Sequence, residues 1–370
     1  MTALRAHDLE RIRSSAHGAI MMRSEIMRAA QSSAAQGGHL KTPTITPMLD
    51  VLQVTFPFFA LVLCGYLAAR RGFLPLEAIT GLNGFVLYFA LPCMLFRFGA
   101  STPIAQLLDA GVALTYLACA LIMVGFTVAV SLNRRIRWKD ASLGALVAAF
   151  PNTGFMGVPL LVALLGPSAA GPTIVTIVVD MVITSSLCVA LSQMDAAGEH
   201  GAAVAGRKAL AGVLRNPMPW AILLGAVFSW QGLTLMAPVA KTVGLLADAA
   251  SPVALFTIGA VLARSQMLAP DPSEGASAWA DVWPVALFKL LLHPVLVLLV
   301  AITAQQWGVP ISREALVVMV LVAALPSASN VSLLAERFGA DNGRIARIIL
   351  VTTAAAFFTF SGAVALLKPV

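Results

Sequence analysis

The sequence predicts an all-α polytopic membrane protein with ten transmembrane helices, built as two inverted five-helix repeats. Three observations predict this fold. The chain has 370 residues, of which 59% are hydrophobic and 11% charged, and its mean hydropathy is +0.88, far from the averages of soluble domains. Most Lys and Arg residues lie in alternate loops. Two hydrophobic segments are interrupted by proline, in AAFPNTGFMGVPLL and AALPSASNVSLL.

Ten segments approach the length of about 20 apolar residues that a helix needs to cross a bilayer. They are residues 51–69, 82–100, 111–132, 141–165, 173–193, 217–231, 242–263, 283–304, 314–335 and 344–367. We number them spans 1 to 10. Span 6 is the shortest, so we expect it to be tilted or extended at either end.

The basic residues favour one side of the membrane. They lie mainly in the loops after spans 1, 3, 5, 7 and 9. The opposite loops 101–110, 166–172 and 232–236 contain no Lys or Arg, and loop 305–313 contains only Arg313. Because cytoplasmic loops are enriched in Lys and Arg, we expect both ends of the ten-span unit outside the cytoplasm. This distribution explains the net charge of +7 without a nucleic-acid partner.

Composition divides the chain into four parts. Residues 48–193 form the first five-span repeat, residues 194–216 a cytoplasmic linker, and residues 217–370 the second repeat. Residues 1–47 form an extension with six Lys or Arg residues, which conflicts with an outside N-terminus. Three interpretations stay open: a cytoplasmic arm, a mitochondrial-like presequence, and an upstream extension of a reading frame whose translation starts at Met48. We favour the third, and expect this extension to be disordered or a start-site artefact.

Spans 2 and 7 share a sequence pattern at an offset of 160 residues. Ala90–Ala100 reads ALPCMLFRFGA and Ala250–Ala260 reads ASPVALFTIGA, with Pro, Phe and Gly at matching places. In spans 4 and 9, AAFP and AALP place Pro151 over Pro326. Each repeat has an odd number of spans, so the second copy must be inverted. Such inverted repeats bring discontinuous helices together near the membrane midplane.

Small polar residues accompany both breaks. A proline removes a backbone donor and collides with the carbonyl four residues earlier, so the helical ladder opens there. Freed backbone groups are tolerated at membrane depth only where protein buries them or where they line a polar cavity. The residues expected to form a substrate site are Pro151, Asn152, Thr153, Pro326, Ser327, Ser329 and Asn330. Their donors and acceptors suit a small carboxylate; the alternative is that the polar side chains only satisfy freed backbone groups.

Ionisable residues inside spans are candidate functional groups, because they are costly in hydrocarbon. Asp180 lies near the middle of span 5, with no charged neighbour on its own helix. Lys289 and His293 are one turn apart in span 8 and share a face. Coupling to H⁺ or Na⁺ is one interpretation of this set. A structural hydrogen bond for Asp180 and snorkelling of Lys289 are the alternatives. Asp248 is a weaker candidate, and we expect Arg97 to snorkel.

Enzyme motifs are absent from the sequence. There is no P-loop and no H-E-x-x-H, which argues against an ATP-driven pump with its own motor and against an intramembrane metalloprotease. Asp180 has no second intramembrane Asp arranged as in an aspartyl protease. We therefore expect no catalytic residues, no metal site and no cofactor, apart from coupling to H⁺ or Na⁺.

The segment PNTGFMGVPLL in span 4 resembles the P-N-T-x-x-M-G-x-P-L segment of the auxin efflux carrier family. MLDVLQVTFPFFALVLCGYLAARRG, FVLYFALPCMLFR, SPVALFTIGAVL and LPSASNVSLLAERFGAD are similar to its bacterial members, so the resemblance covers Met48 to the C-terminus. It implies a scaffold of spans 1, 2, 6 and 7 and a transport domain of spans 3–5 and 8–10. It also implies a crossover at Pro151 and Pro326, with Asn152 as a substrate-contacting residue.

The resemblance implies a secondary transporter of a small organic anion, such as a mono- or dicarboxylate, across the inner (cytoplasmic) membrane by alternating access. Bacterial members are associated with malonate, malate and similar carboxylates, and with an elevator motion of two domains. The long cytoplasmic loop of the plant exporters is absent here, which argues against auxin. A membrane receptor that binds an organic acid without transporting it is the alternative, although the short loops disfavour it. The expected partners are the organic acid, the lipid bilayer and, as an open alternative, a second copy of the chain in a homodimer.

Overall fold

The computed structural model describes residues 47–194, 214, 217–267 and 279–367. The regular secondary structure within these ranges is helical. The predictions for residues 1–46 and for most of the linker 194–216 concern parts of the chain outside the described residues.

We number the helices by the predicted span that each covers. They are α1 (Pro47–Arg70), α2 (Leu76–Ser101), α3 (Ala110–Ser131), α4a (Trp138–Ala149), α4b (Thr153–Leu165), α5 (Pro167–Ser192), α6 (Pro217–Gln231), α7 (Ala237–Met267), α8 (Trp283–Gln306), α9a (Arg313–Ala324), α9b (Val331–Phe338) and α10 (Asn342–Leu367). One further turn, Ile104–Leu107, precedes α3.

Seven helical stretches of the described chain are long and apolar enough to cross a bilayer, and they correspond to α1, α2, α3, α5, α7, α8 and α10. The three remaining predicted spans are shorter as single helices. Helix α6 has only 15 residues, as its short apolar segment predicted. Spans 4 and 9 are each divided into two helices by a break in the middle. The chain is therefore a multi-pass membrane protein.

Three of the described helices, α3, α9a and α10, begin at a side-chain cap that satisfies a free backbone donor; in α10 the Asp341 carboxylate accepts from the Arg344 N–H at 2.8 Å. The Asp109 carboxylate accepts a hydrogen bond from the Val112 N–H at 3.0 Å, at the start of α3. The Ser312 hydroxyl accepts one from the Ala315 N–H, also at 3.0 Å, at the start of α9a. Such caps compensate for the unpaired N–H groups in the first turn of a helix.

Helices α1 and α7 approach each other so closely that only glycine fits at their crossing. A Cβ atom at Gly65 would lie 1.8 Å from the carbonyl oxygen of Phe256. A Cβ atom at Gly259 would lie 1.8 Å from the carbonyl oxygen of Val62. Small residues commonly let transmembrane helices pack backbone against backbone in this way.

Helices α2 and α6 form a second crossing of the same kind. A Cβ atom at Gly225 would lie 2.5 Å from the Phe96 carbonyl oxygen, and one at Gly99 would lie 3.1 Å from that of Ile222. The two crossings correspond at the offset of 160 residues seen in the sequence. The corresponding residues are Gly65 and Gly225, Gly99 and Gly259, Val62 and Ile222, and Phe96 and Phe256. The same interval therefore relates both the sequences and the contacts of these helices.

Four of the described helices widen into a π-turn. These turns span Val86–Ala90, Thr153–Gly157, Val179–Thr184 and Phe288–Leu292. Three of them are followed within two residues by proline, which cannot donate the regular helical hydrogen bond. Two of the turns carry the predicted intramembrane charges, Asp180 and Lys289. Isolated π-turns within helices are frequent at functional sites.

Candidate functional site

The two broken helices meet through their main chains. Pro151 and Ser327 face each other in an isolated antiparallel bridge. The Asn152 N–H donates to the Pro326 carbonyl at 2.8 Å, and the Ala328 N–H donates to the Phe150 carbonyl at 3.0 Å. The backbone groups freed by one break are thus partly satisfied by the other break. We call residues 150–153 and 325–330 the helix crossing.

Three polar side-chain atoms at the helix crossing are buried without a hydrogen-bond partner. They are Asn152 Oδ1, Ser327 Oγ and Asn330 Oδ1. Leaving a buried polar atom unpaired costs about 1–3 kcal/mol, so such atoms are rare and call for an explanation. The two amide oxygens can be paired only by a hydrogen-bond donor, whereas the hydroxyl can pair with a donor or an acceptor.

A cleft beside the helix crossing is lined by residues of the crossing, of α4b and of α2, α5 and α6. Its cavity volume is about 20 Å³, room for about one water molecule, so the cleft must widen to admit a solute. Asn152 and Asn330 supply its polar side chains. Its lining residues are Leu91, Leu95, Phe150, Pro151, Asn152, Gly154, Phe155, Ile177, Met181, Met218, Ala328 and Asn330.

A second, smaller cleft, with a cavity volume of about 10 Å³, lies at the helix crossing against α2 and α7. It is lined by Asn83, Leu87, Phe155, Ile258, Val261, Ser329 and Asn330. Phe155 and Asn330 line both clefts. These two side chains therefore stand between the clefts.

The structure brings the predicted site residues together but gives them different positions. Pro151, Asn152 and Asn330 line the larger cleft, and Ser329 lines the smaller one. The others line neither cleft. Thr153 is buried, with its hydroxyl 3.4 Å from the Pro151 carbonyl.

The backbone beyond Pro326 is held by α10. The Ser327 N–H donates to the Thr352 hydroxyl at 3.3 Å, while the Ser327 side chain is fully buried. Pro326 contributes its carbonyl to the contact with Asn152. The crossing is therefore held by α10 as well as by the hydrogen bonds between its own two backbone segments.

Asp180 is fully buried between α5 and α3. The Tyr116 hydroxyl donates to its Oδ2 at 2.9 Å, and the Thr184 hydroxyl donates to its Oδ1 at 3.1 Å. Both oxygens of the carboxyl group therefore have a neutral donor, which is the hydrogen bonding that a buried polar group requires.

Lys289 is also fully buried, so the alternative that it snorkels to the interface is wrong. Its Nζ donates to the Ala323 carbonyl at 2.8 Å and lies 3.0 Å from His293 Nδ1. Ala323 is in the last turn of α9a, where carbonyls lack a helical partner, and this explains why the ammonium stays inside. His293 Nε2 is buried without a partner.

The two buried groups are neighbours but not a direct ion pair. The Tyr116 and His293 rings lie 6.2 Å apart, centre to centre, which links α3 to α8 between the carboxyl and the ammonium. Asp180 and Lys289 are close enough to interact electrostatically, yet no contact within 4.0 Å joins them in the described chain. We call Tyr116, Asp180, Thr184, Lys289 and His293 the buried charge cluster.

Arg97 and Asp248 form an ion pair away from the crossing. The Arg97 Nη1 lies 2.6 Å from the Asp248 Oδ1, and both side chains are exposed in the isolated chain. Arg97 was expected to snorkel towards the interface. The ion pair joins α2 to α7, which gives both charged side chains a structural role.

Sequence reasoning missed several residues of the site. Among the described contacts, Tyr116 makes the only side-chain hydrogen bond to Asp180 from another helix. The signal in the sequence was a single phenol inside an apolar span. Phe155, Met181 and Met218 line the larger cleft. Apolar residues of this kind give no signal, because they look like ordinary lipid-facing or core residues.

Comparison with known proteins identifies the family. A family model described as "Membrane transport protein" matches residues 50–364. The chain belongs to this family. It is the family of the auxin efflux carriers, as the span 4 motif indicated, and its members are transporters rather than enzymes.

Individual relatives are similar over most of their length. The chain is 30% identical over 324 residues to the "Putative malonate transporter" of Rhizobium meliloti (strain 1021), covering 87% of this chain and 97% of that protein. It is 26% identical over 287 residues to the "Uncharacterized transporter YfdV" of Escherichia coli (strain K12), covering 76% and 86%. An "Uncharacterized transporter" of Methanothermobacter thermautotrophicus is 26% identical over 297 residues, covering 79% and 90%.

Proposed function

We propose that this membrane transport protein is a secondary carrier that moves a small organic anion, a mono- or dicarboxylate, across the cytoplasmic membrane by alternating access. The observation that carries the proposal is the helix crossing, where two broken helices are bridged backbone to backbone beside a cleft. Irregular backbone inside a membrane protein is tolerated where it lines a binding cavity, and paired discontinuous helices mark the substrate sites of transporters.

The chemistry of the helix crossing suits a carboxylate. Helices α4b and α9b begin at the crossing and directly after it, at Thr153 and Val331, and the partial positive charge of a helix N-terminus favours an anion. Asn152 and Asn330 add side-chain amides at the cleft. The substrate carboxylate would lie between these groups, with its apolar portion against Leu91, Leu95 and Met181.

The proposed architecture is ten spans in two inverted repeats, with repeats at residues 48–193 and 217–370. The two glycine crossings support it, because their contacts repeat at the offset of 160 residues found between spans 2 and 7. The packing of α1 with α7 and of α2 with α6 agrees with a scaffold of spans 1, 2, 6 and 7. The remaining helices would form the moving transport domain.

Three further features complete the proposal. Both ends of the ten-span unit lie outside the cytoplasm if translation starts near Met48. Movement of the anion is coupled to H⁺ or Na⁺ through Asp180, Lys289 and His293. The name of the Rhizobium meliloti relative makes malonate the first substrate to test, and a homodimer is an open alternative to a monomer.

The test is uptake of radiolabelled malonate and acetate by proteoliposomes containing the full chain. Asn152→Ala should reduce uptake at least tenfold, because it removes an amide from the cleft. Asn342→Ala is the matched control, since Asn342 also has a buried amide oxygen without a partner but lies at the start of α10. Equal uptake by both variants would contradict the proposed site. Binding of malonate or acetate without accumulation in vesicles would instead indicate a receptor.

A further inference from the structure

We infer that Asp180 is a proton-binding site linked to the substrate site, so that the carrier moves one proton together with each anion. This inference rests on the proposed function and deepens it, because it names the coupling ion and the group that holds it. Four features of the structure carry it: the uncharged clefts, the position of Lys289, the opposing charge of Asp180, and the occupied coordination of both groups.

The first feature is the lack of charge at the clefts. None of the described residues that line either cleft is Lys, Arg, His, Asp or Glu. An anion at the helix crossing would therefore meet amides and backbone dipoles but no cationic side chain. Its charge must be balanced from farther away, because an unbalanced charge is costly inside a membrane protein.

The second feature is the position of Lys289. Its ammonium donates to the Ala323 carbonyl at 2.8 Å, and Ala323 is followed by Ala324, the last residue of α9a before the crossing. A cation at a helix C-terminus neutralises the partial negative charge there. The ammonium thus lies at the end of α9a that leads into the proposed anion site. Its positive charge raises the electrostatic potential at that site.

The third feature is the opposing charge of Asp180. Its ionised carboxylate cancels the effect of Lys289 at a distance, since the two groups interact electrostatically without forming a direct pair. Protonation of Asp180 removes this cancellation and leaves the Lys289 charge available to the anion. A proton on Asp180 and an anion at the crossing therefore strengthen each other's binding, as reciprocal linkage requires.

The fourth feature explains why the coupling ion is H⁺ rather than Na⁺. Two hydroxyl donors already occupy the oxygens of Asp180, and the Lys289 ammonium supplies a positive charge nearby without contacting the carboxylate. Na⁺ needs a shell of several oxygen ligands, which in transporters include unwound backbone carbonyls. A proton needs no such coordination shell, only a carboxylate oxygen.

The proton balance of the cycle is simple. The Asp180 carboxylate takes one proton from water on the side where the anion binds, becoming a neutral carboxylic acid, and returns it on the opposite side when the anion leaves. For a monoanion the moving domain then gains no net charge. The other titratable side chains near this carboxylate are Tyr116 of α3, Cys188 of α5 and Lys289 of α8, while Cys119 of α3 and His293 of α8 lie beside Tyr116.

The experiment measures malonate binding to the purified full chain by isothermal titration calorimetry, in phosphate and Tris buffers, between pH 5.5 and 8. The difference between buffers reports the protons taken up per anion. For the wild type we expect uptake approaching one proton and an affinity that rises on the order of tenfold as the pH falls, within the usual range for linked sites, roughly 5–150-fold. Asp180→Asn should bind malonate without this additional proton.

Two comparisons keep the result interpretable. Malonate itself titrates in this pH range, and it does so equally with the wild type and with Asp180→Asn. Only the difference in proton uptake between the two proteins therefore reports Asp180. Thr127→Val is the matched control, because Thr127 has a buried hydroxyl without a partner on α3, and it should retain the wild-type proton uptake. Tyr116→Phe removes one donor from the carboxylate, so its pH dependence should move to higher pH even if Asp180→Asn does not fold.

The possible outcomes separate this inference from the proposed function. Equal proton uptake by the wild type and Asp180→Asn, or an unchanged pH dependence in Tyr116→Phe, would overturn the inference. Stimulation of malonate binding by NaCl over choline chloride at constant pH in the wild type, absent in Asp180→Asn, would replace H⁺ by Na⁺. Failure of the wild type to bind or take up malonate and acetate would instead refute the proposed function.

Discussion

Gly259 lies where α7 crosses α1, and replacing it with alanine tests whether this backbone contact holds the two helices together. The added Cβ would lie 1.8 Å from the Val62 carbonyl oxygen and 2.6 Å from the Tyr66 nitrogen, whereas an ordinary contact begins at 3.4 Å. The obstructing atoms belong to the main chain and cannot rotate away. The helices must therefore separate, and packing is a main source of helix association in membranes.

The cost of Gly259→Ala follows from this displacement. Overpacking usually destabilises a protein by about 1–3 kcal/mol, and a gap of only 0.5–1 Å forfeits roughly a quarter to a half of a dispersion contact. Since a whole helix face must move, we expect the upper end of that range, about 3 kcal/mol. Gly99→Ala meets its nearest atom at 3.1 Å and should cost clearly less.

Thermal unfolding of the detergent-solubilised protein, followed by tryptophan fluorescence, measures this effect. At about 2–4 °C per kcal/mol, Gly259→Ala should lower the apparent Tm by roughly 6–12 °C. Gly244→Ala is the matched control in the same helix, because its Cβ would meet nothing within 4 Å; alanine there should be neutral or stabilising, by up to about 1 kcal/mol. Equal melting of Gly259→Ala and Gly244→Ala would refute the close crossing.

Three further predictions concern other parts of the molecule. Asp109→Ala and Ser312→Ala each remove a helix cap and should lower the unfolding free energy by about 1 kcal/mol, with additive effects in the double variant; a large coupling would contradict independent caps. Asp248→Asn breaks the exposed ion pair with Arg97 and should change stability by no more than about 1 kcal/mol without affecting malonate uptake. Lys289→Met should weaken malonate binding about tenfold, in line with typical coupling between sites, and an unchanged affinity in equilibrium binding would show that Lys289 does not influence the anion site.

The membrane segments could be read from the sequence because their signal is local. A helix in lipid must satisfy its own backbone and present apolar side chains, so hydropathy locates it without knowledge of its neighbours. The short span 6 and the interrupted spans 4 and 9 were apparent for the same reason. The offset of 160 residues between spans 2 and 7 also relates the glycine contacts of α1, α2, α6 and α7.

Proline alone does not show where a membrane helix breaks. Pro57 and Pro252 lie inside the continuous helices α1 and α7, whereas Pro151 and Pro326 lie at breaks. The difference is in the surroundings, because the backbone around Pro151 and Pro326 finds hydrogen-bond partners in the opposite break. A helix can leave its regular ladder only where such partners exist.

By itself, the sequence determined where the membrane helices lie, which two of them are broken, and that Asp180, Lys289 and His293 are out of place in an apolar environment. Only the tertiary structure decided what those groups contact: Tyr116 for Asp180, 64 residues away, and the Ala323 carbonyl for Lys289, 34 residues away. The physical reason is that hydropathy and proline chemistry act within a few residues of the chain. The partners of a buried polar group depend instead on which helices the fold places side by side.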